Sequence, residues 1–161
     1  MHPRRVDRQV VEQGLPGARL VAFGVAGRVP RLVLTGGGIG TALLEHLAQG
    51  PAHDAVDWAH VEFYWGDERF LPPGDPERNE TGARQALLDH LPIDPARVHP
   101  MGADTGTGPS GAEAAAQDYA DLLARDARPE DHGPVPTFDV TLLGMGGLGQ
   151  PCTATTVRSV S

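Results

Sequence analysis

Apolar and polar positions alternate along this chain in a way that predicts strands and helices in turn. Three short apolar runs are rich in β-branched and aromatic residues, and each ends at a glycine, which is typical of buried strands. They cover residues 31–35, 61–65 and 137–143. Apolar stripes at helical spacing lie between them, at residues 42–48, 81–89 and 110–126. Strands that alternate with helices predict an α/β fold with three layers, in which helices cover both faces of a mainly parallel, Rossmann-like sheet.

The two ends of the chain lack this periodicity. In residues 1–30, glycines and prolines interrupt the apolar positions, so only a broken helix is expected there. Residues 147–161 carry one charged side chain, Arg158, and the lone Cys152 within them is given no role. We therefore expect one α/β domain over residues 31–146, between a poorly defined N-terminal segment and an irregular tail.

Composition and charge exclude several classes of function. All 13 basic residues are arginine, so neither a Schiff-base lysine nor the lysine of a nucleotide P-loop is present. A net charge of -8 argues against a nucleic-acid surface, since such binding neutralises phosphates with basic side chains. The sequence has one cysteine, no apolar run long enough to span a membrane and no signal-peptide core at its N-terminus. We expect a soluble protein of the cytoplasm.

A glycine-rich segment, Gly-Gly-Gly-Ile-Gly at residues 36–40, joins the first strand to the first helix. It does not match the dinucleotide-binding pattern, because Thr41 stands where the third glycine would be, and it is no P-loop because lysine is absent. Its backbone N–H groups, at a helix N-terminus, can nevertheless bind a phosphate. A tight turn that needs glycine only for its backbone angles is an equally acceptable interpretation.

Three consecutive charged residues, Asp67, Glu68 and Arg69, follow the second strand. In open α/β sheets ligands bind in the crevice outside the carboxyl ends of the strands, which is where this cluster is expected. The Arg69 guanidinium could bind an anion or stabilise charge on a carbonyl oxygen, and the carboxylates could orient it or a water molecule. The alternative is a solvated turn with an internal ion pair.

Other polar residues fit structural roles. Asn79 is placed to cap the second helix, and it would contact a substrate only if its loop folds over the glycine turn. Ser110 and Glu113 form a capping box, and the sequence around Ser110 misses the nucleophile-elbow pattern. No metal site is predicted. The loop before the second strand carries His and Asp residues that match no zinc pattern, so they are interpreted as surface residues. They are His53, Asp54, Asp57 and His60.

Four segments resemble the 6-phosphogluconolactonases in order and spacing. They are residues 32–38, residues 63–73 together with Asn79, residues 98–101 and residues 138–146. The Trp-Gly-Asp-Glu-Arg stretch within the second segment separates this family from the related glucosamine-6-phosphate deaminases. The resemblance implies the sugar-phosphate isomerase fold, and it implies hydrolysis of 6-phosphoglucono-1,5-lactone to 6-phosphogluconate in the oxidative pentose phosphate pathway, with no cofactor.

The resemblance also implies roles for particular residues. Arg69 would balance negative charge on the lactone or its tetrahedral intermediate, and Asp67 would orient donors nearby, so these two are the candidate catalytic residues. The candidate substrate-binding residues are Thr35, Gly36, Gly37, Gly38 and Asn79. The implied partner is a small phosphorylated sugar lactone.

The chain departs from the family pattern after residue 146. There the family has an Asp-Gly-His segment whose histidine activates water, and this chain has Gly-Leu-Gly-Gln instead. Losing a positioned general base typically costs about 10² to 10⁴ in rate. Ile39 also replaces a residue that commonly carries a hydroxyl, and the chain is short for the family, so we expect a sheet that lacks its last strands.

These departures leave three functions open. The chain is an impaired lactonase, a non-catalytic sugar-phosphate binder or inactive remnant of the fold, or an amino-sugar phosphate deaminase or isomerase. An uncovered sheet edge would in addition predict low stability or self-association.

Overall fold

The computed structural model describes residues 28–144. The broken helix expected near the N-terminus, the tail with Cys152 and the segment after residue 144 lie outside the described residues, apart from residues 28–30. Within the described range the predicted order of strand, glycine loop and helix is present.

In the described part of the chain, three parallel strands form the sheet: β1 (Arg31–Leu34), β2 (Glu62–Trp65) and β3 (Val140–Thr141). Their order is β2-β1-β3, with Leu32 of β1 opposite Phe63 of β2 and Val140 of β3. Because all three strands run the same way, their carboxyl ends lie at one edge of the sheet, as the sequence predicts. Val98 adds one parallel bridge to Phe63 on the outer side of β2, which the sequence did not predict.

Residues 28–144 contain four α-helices: α1 (Gly37–Gln49), α2 (Ala52–Ala55), α3 (Asn79–Ala86) and α4 (Pro109–Asp126). Three single 3₁₀ turns add to them, at Trp58–His60, Leu88–His90 and Pro95–Arg97. α1 begins earlier than predicted, because the extended Gly36 serves as its N-cap within the glycine run. α4 begins at Pro109 after the N-cap Gly108, so Ser110 lies inside the helix and the predicted capping position is wrong.

Alternate strand residues point to opposite faces and bury two separate clusters. On one face, α1 and α3 pack together over a core that includes Leu34, Leu44, Phe63 and Leu87. The other face carries Val33, Tyr64, Tyr119 and Leu123, the last two from α4. Helices therefore cover both faces, and the predicted α/β/α layering is confirmed.

β3 is shorter than the predicted run of residues 137–143. The N–H of Asp139 donates to the Arg31 carbonyl and that of Leu142 to the Val33 carbonyl, both at 2.9 Å, so ladder bonds continue on either side of the strand. β3 lies at one edge of the described sheet, and only its inner side is paired among residues 28–144.

Candidate functional site

The carboxyl ends of all three strands open into one cleft of about 390 Å³. This volume lies within the range of small-molecule sites, roughly 300 to 1,000 Å³. The cleft is lined by Thr35, Gly36, Gly37, Gly38, Ile39, Asp67, Arg69, Asn79 and Gly144. The structure thus brings together all seven residues that the sequence singles out, while their roles stay predictions.

Two of the three glycines after β1 are required by local geometry, and the third is not. A Cβ on Gly36 would overlap the side-chain amide of Asn79. Gly37 has a φ of +78°, in the left-handed region that side chains rarely adopt. Gly38 has neither constraint, since a Cβ there meets nothing within 4 Å. The tight-turn interpretation therefore explains Gly37 alone; the close approach of Asn79 explains Gly36, and Gly38, which lines the cleft, is left unexplained.

Asn79 connects the two loops that form the cleft. It is the first residue of α3, with Arg78 as the N-cap, so the predicted capping role is wrong. Its Nδ2 donates to the Asp67 backbone carbonyl at 3.0 Å and to the Asp67 carboxylate at 3.3 Å. The amide also lies against Gly36, so its loop does fold over the glycine turn. This is the arrangement that a substrate contact requires.

Arg69 presents its guanidinium at the mouth of the cleft. Its side chain is 62% exposed and its Nη1 lies 2.9 Å from Oε2 of Glu77, which is 68% exposed. Exposed pairs of this kind are worth about 0 to 1 kcal/mol, so an anionic ligand can compete with Glu77 for the guanidinium. The carboxylate that pairs with Arg69 thus comes from outside the Asp-Glu-Arg turn.

Glu68 has a structural place that the sequence did not predict. Its side chain is only 2% exposed and accepts hydrogen bonds from the N–H groups of Asn79 (2.7 Å) and Glu80 (2.9 Å). Both belong to the first turn of α3, so Glu68 caps that helix from a distant loop. The signal available in the sequence was the lack of a Ser, Thr or Asp just before Asn79, which leaves the helix in need of an outside acceptor.

Tyr119 of α4 fixes the end of β2, just before the charged turn. Its hydroxyl accepts from the Trp65 N–H at 2.9 Å and donates to the Trp65 carbonyl at 3.1 Å. Burial raises the pKa of Tyr119 to about 12, so the hydroxyl keeps its proton at neutral pH and can serve as donor and acceptor. The strand end that carries Asp67 and Arg69 is therefore anchored to the opposite layer.

The described residues form neither a metal-binding cluster nor a membrane-spanning helix. Among residues 28–144, no group of three or more His, Cys, Asp or Glu side chains is arranged to hold a metal ion. In the loop before β2, His53 contacts Asp54 and His60 contacts Asp57 as separate pairs. The same part of the chain contains no helix both long and apolar enough to cross a membrane.

Comparison with known proteins agrees with this fold. Residues 19–149 match the family described as glucosamine-6-phosphate isomerases/6-phosphogluconolactonase. A 6-phosphogluconolactonase of Streptomyces coelicolor is 54% identical over 144 residues, which are 87% of this chain and 55% of that protein. One from Mycobacterium leprae is 48% identical over 140 residues, covering 84% of this chain and 55% of the relative.

Solved structures give the same result. The crystal structure of the devB protein superposes with a TM-score of 0.65 at 28% identity, over 79% of this chain and 50% of that one. The chain thus spans about half the length of the curated relatives it matches. The resemblance seen in its motifs is confirmed, and the chain belongs to the glucosamine-6-phosphate isomerase/6-phosphogluconolactonase family.

Proposed function

We propose that the cleft binds a phosphorylated sugar lactone and that the chain hydrolyses 6-phosphoglucono-1,5-lactone to 6-phosphogluconate. The observation that carries this proposal is the meeting of the glycine loop, Asp67, Arg69 and Asn79 in one cleft. The names of the relatives support the choice of substrate. We assign the reaction to the cytoplasm and to the oxidative pentose phosphate pathway as part of the same proposal.

The chemistry that we propose uses each side of the cleft. The first turn of α1 offers N–H groups and a positive dipole end to the phosphate, next to the open space at Gly38. Water adds to the lactone carbonyl, and Arg69 offsets the charge on the oxygen of the tetrahedral intermediate. The ring C–O bond then breaks, its oxygen takes one of the two protons of the water to become a hydroxyl, and the other proton is released to solvent as the carbonyl carbon becomes a carboxylate.

Proton transfer from the attacking water is the weak step of this scheme. Asp67 is the one carboxylate among the described residues that line the cleft, and no histidine lines that part of it. Asp67 is held by Asn79 and is the group we expect to orient the water. A rate about 10² to 10⁴ below that of a relative with a positioned base is therefore expected.

A lactonase assay tests this function. The rate with 6-phosphogluconolactone is measured against spontaneous hydrolysis, with the Streptomyces relative as reference, glucosamine 6-phosphate as the alternative substrate and Arg69→Ala as the impaired variant. We expect slow turnover that Arg69→Ala abolishes. A rate equal to spontaneous hydrolysis would overturn the catalytic proposal, and turnover of glucosamine 6-phosphate would assign the other reaction of the family.

A second candidate is a sugar-phosphate binder without catalysis. The lack of a histidine among the described cleft residues favours it. Calorimetric titration of 6-phosphogluconate into the wild-type chain and Arg69→Ala separates the two candidates from a mere remnant. If the wild-type chain binds 6-phosphogluconate, Arg69→Ala weakens that binding, and the chain does not turn over the lactone, then the chain is a sugar-phosphate binder. If neither protein binds, the chain retains only the fold.

A further inference from the structure

We infer that the buried ion pair between Glu68 and Arg78 is a positioning device that sets the places of Arg69 and Asn79 in the cleft. Neither Glu68 nor Arg78 is assigned a substrate contact here; they act through the backbone of the residues that are. The inference deepens the proposed function, on which it rests for the identity of the ligand.

One carboxylate holds two cleft residues at once. Oε1 of Glu68 accepts from the Arg69 N–H at 2.8 Å and from the Asn79 N–H at 2.7 Å. These residues lie ten positions apart in the sequence and on different elements, a loop and the first turn of α3. Moving that oxygen would therefore change the separation between the Arg69 guanidinium and the Asn79 amide.

Arg78 completes the fixation from the other side. Its side chain is 0% exposed, and its Nη1 lies 3.4 Å from the carbonyls of both Arg69 and Leu71. Its Nη2 donates to the Met101 carbonyl at 2.9 Å and lies 3.5 Å from Oε2 of Glu68. Thus Glu68 accepts from the N–H of Arg69, and Arg78 contacts its C=O, which also accepts from the Leu71 N–H at 2.9 Å, so the pair touches both backbone polar groups of Arg69.

The contacts of this pair suit positioning better than stability. Buried ion pairs are weak evidence for stability, because the desolvation cost offsets much of the attraction. The Nε–H of Arg78 is also buried without a hydrogen-bond partner among residues 28–144, which is an additional cost. The pair fixes the backbone of the turn that carries Asp67 and Arg69. The side chains of these two residues are exposed, so the backbone contacts are what determine their positions.

A double-mutant cycle tests the inference with 6-phosphogluconate as the probe. Glu68→Gln is measured by calorimetry in the wild-type and the Arg69→Ala backgrounds. If Glu68 acts through Arg69, its loss weakens binding roughly tenfold in the wild type and by much less when Arg69 is already absent. An equal loss in both backgrounds would show general destabilisation and overturn the inference.

A matched control and a ligand-independent readout complete the design. Asp131 is also a buried carboxylate, 1% exposed, that pairs with a buried arginine and accepts two backbone N–H groups, far from the cleft. Asp131→Asn should leave affinity unchanged. Amide hydrogen exchange should speed up at Arg69 and Asn79 in Glu68→Gln, with Phe63 in β2 unchanged; unchanged exchange at both would overturn the inference.

Two further outcomes are covered by this design. If Glu68→Gln does not fold, Glu68→Asp replaces it, since it keeps the charge and withdraws the carboxylate by one methylene; the same exchange pattern is then expected. If the wild-type chain does not bind 6-phosphogluconate, the proposed function fails, while exchange at Arg69 and Asn79 still decides the positioning role.

Discussion

Among residues 28–144, two buried arginines lie at opposite ends of the sheet, and they differ in their partners. Arg31 starts β1 at the amino end of the strands, and Arg78 precedes α3 at the carboxyl end; as whole residues they are 2% and 1% exposed. Arg31 pairs with the carboxylates of Glu62 at 3.2 Å and Asp131 at 3.1 Å. Arg78 lies 3.1 Å from the Glu80 carboxylate and 3.5 Å from that of Glu68, and it also contacts four backbone carbonyls, those of the cleft loop and of residues 101 and 102.

The difference shows that burial of a charge does not reveal its role, whereas its partners do. We call one group of polar residues the Arg31 cluster. It consists of Arg31 from β1, Glu62 from β2, Asp126 from α4 and Asp131 from the connector before β3. The hydrogen bonds of Arg31 join residues that are 31 to 108 positions apart in the sequence; the longest separation is that of the bond from the Arg31 N–H to the Asp139 carboxylate. The cluster therefore fixes the fold, and Arg78 fixes a local loop.

The largest effect should come from removing the centre of the Arg31 cluster. In Arg31→Met the carboxylates of Glu62 and Asp131 lose their shared partner, and breaking a buried pair in this way typically costs about 3 to 5 kcal/mol. Urea denaturation should show that loss in the free energy of unfolding, while the folded fraction keeps its affinity for 6-phosphogluconate. If Arg31→Met lost affinity for 6-phosphogluconate without losing stability, the amino end of the sheet would serve binding and the assignment of Arg31 to the fold would be wrong.

A smaller effect is expected at the glycine loop, where two neighbouring positions can be compared. Gly36→Ala must displace the Asn79 amide, so we expect about 1 to 3 kcal/mol of destabilisation and weaker binding of 6-phosphogluconate. Gly38→Ala meets open space within α1 and should raise the free energy of unfolding by about 0.4 to 1 kcal/mol, because alanine restricts the unfolded chain. If phosphate binds against the loop, Gly38→Ala should still weaken binding; unaltered affinity there would place the phosphate elsewhere.

Tyr119 offers an intermediate test of the carboxyl end, because it anchors β2 without touching the charged turn. Tyr119→Phe keeps the ring but leaves the N–H and C=O of Trp65 without this hydroxyl, at an expected cost of about 1 to 2 kcal/mol. Thermal unfolding followed by circular dichroism measures the cost. Because both lost bonds are buried, a stability equal to the wild type would indicate that Trp65 finds other partners.

The sequence was sufficient to predict the location of the cleft, and the reason is topological. Each apolar run ends at a glycine, and parallel strands present their carboxyl ends at one edge, so the residues after each run had to meet there. The glycine loop, Asp67 and Arg69 line one cleft for this reason. Local pattern and one topological rule are enough for this part.

What the sequence could not predict are the partners of buried charges. Arg31, Glu68 and Arg78 look like surface residues by type, and their burial depends on carboxylates and carbonyls that only the folded chain brings near. Local pattern also predicts Asn79 as a cap, whereas the side chain that accepts from the first turn of α3 belongs to Glu68, eleven residues earlier in the chain. Tertiary partners therefore override local capping signals.

The smallest effect that we predict is a change in acid sensitivity at the amino end. Backbone N–H donation from Arg128 and Thr137 holds the pKa of Asp131 well below its ordinary value, with Arg31 contributing less. Asp131 therefore adds stability that is fully present above its unfolded pKa of about 3.9 and is lost as the pH falls toward the folded value. Asp131→Asn should show a shallower decline in the free energy of unfolding below about pH 4. Urea denaturation at a series of pH values measures both slopes; parallel curves for the two proteins would mean that the Arg31 cluster does not depend on the charge of Asp131.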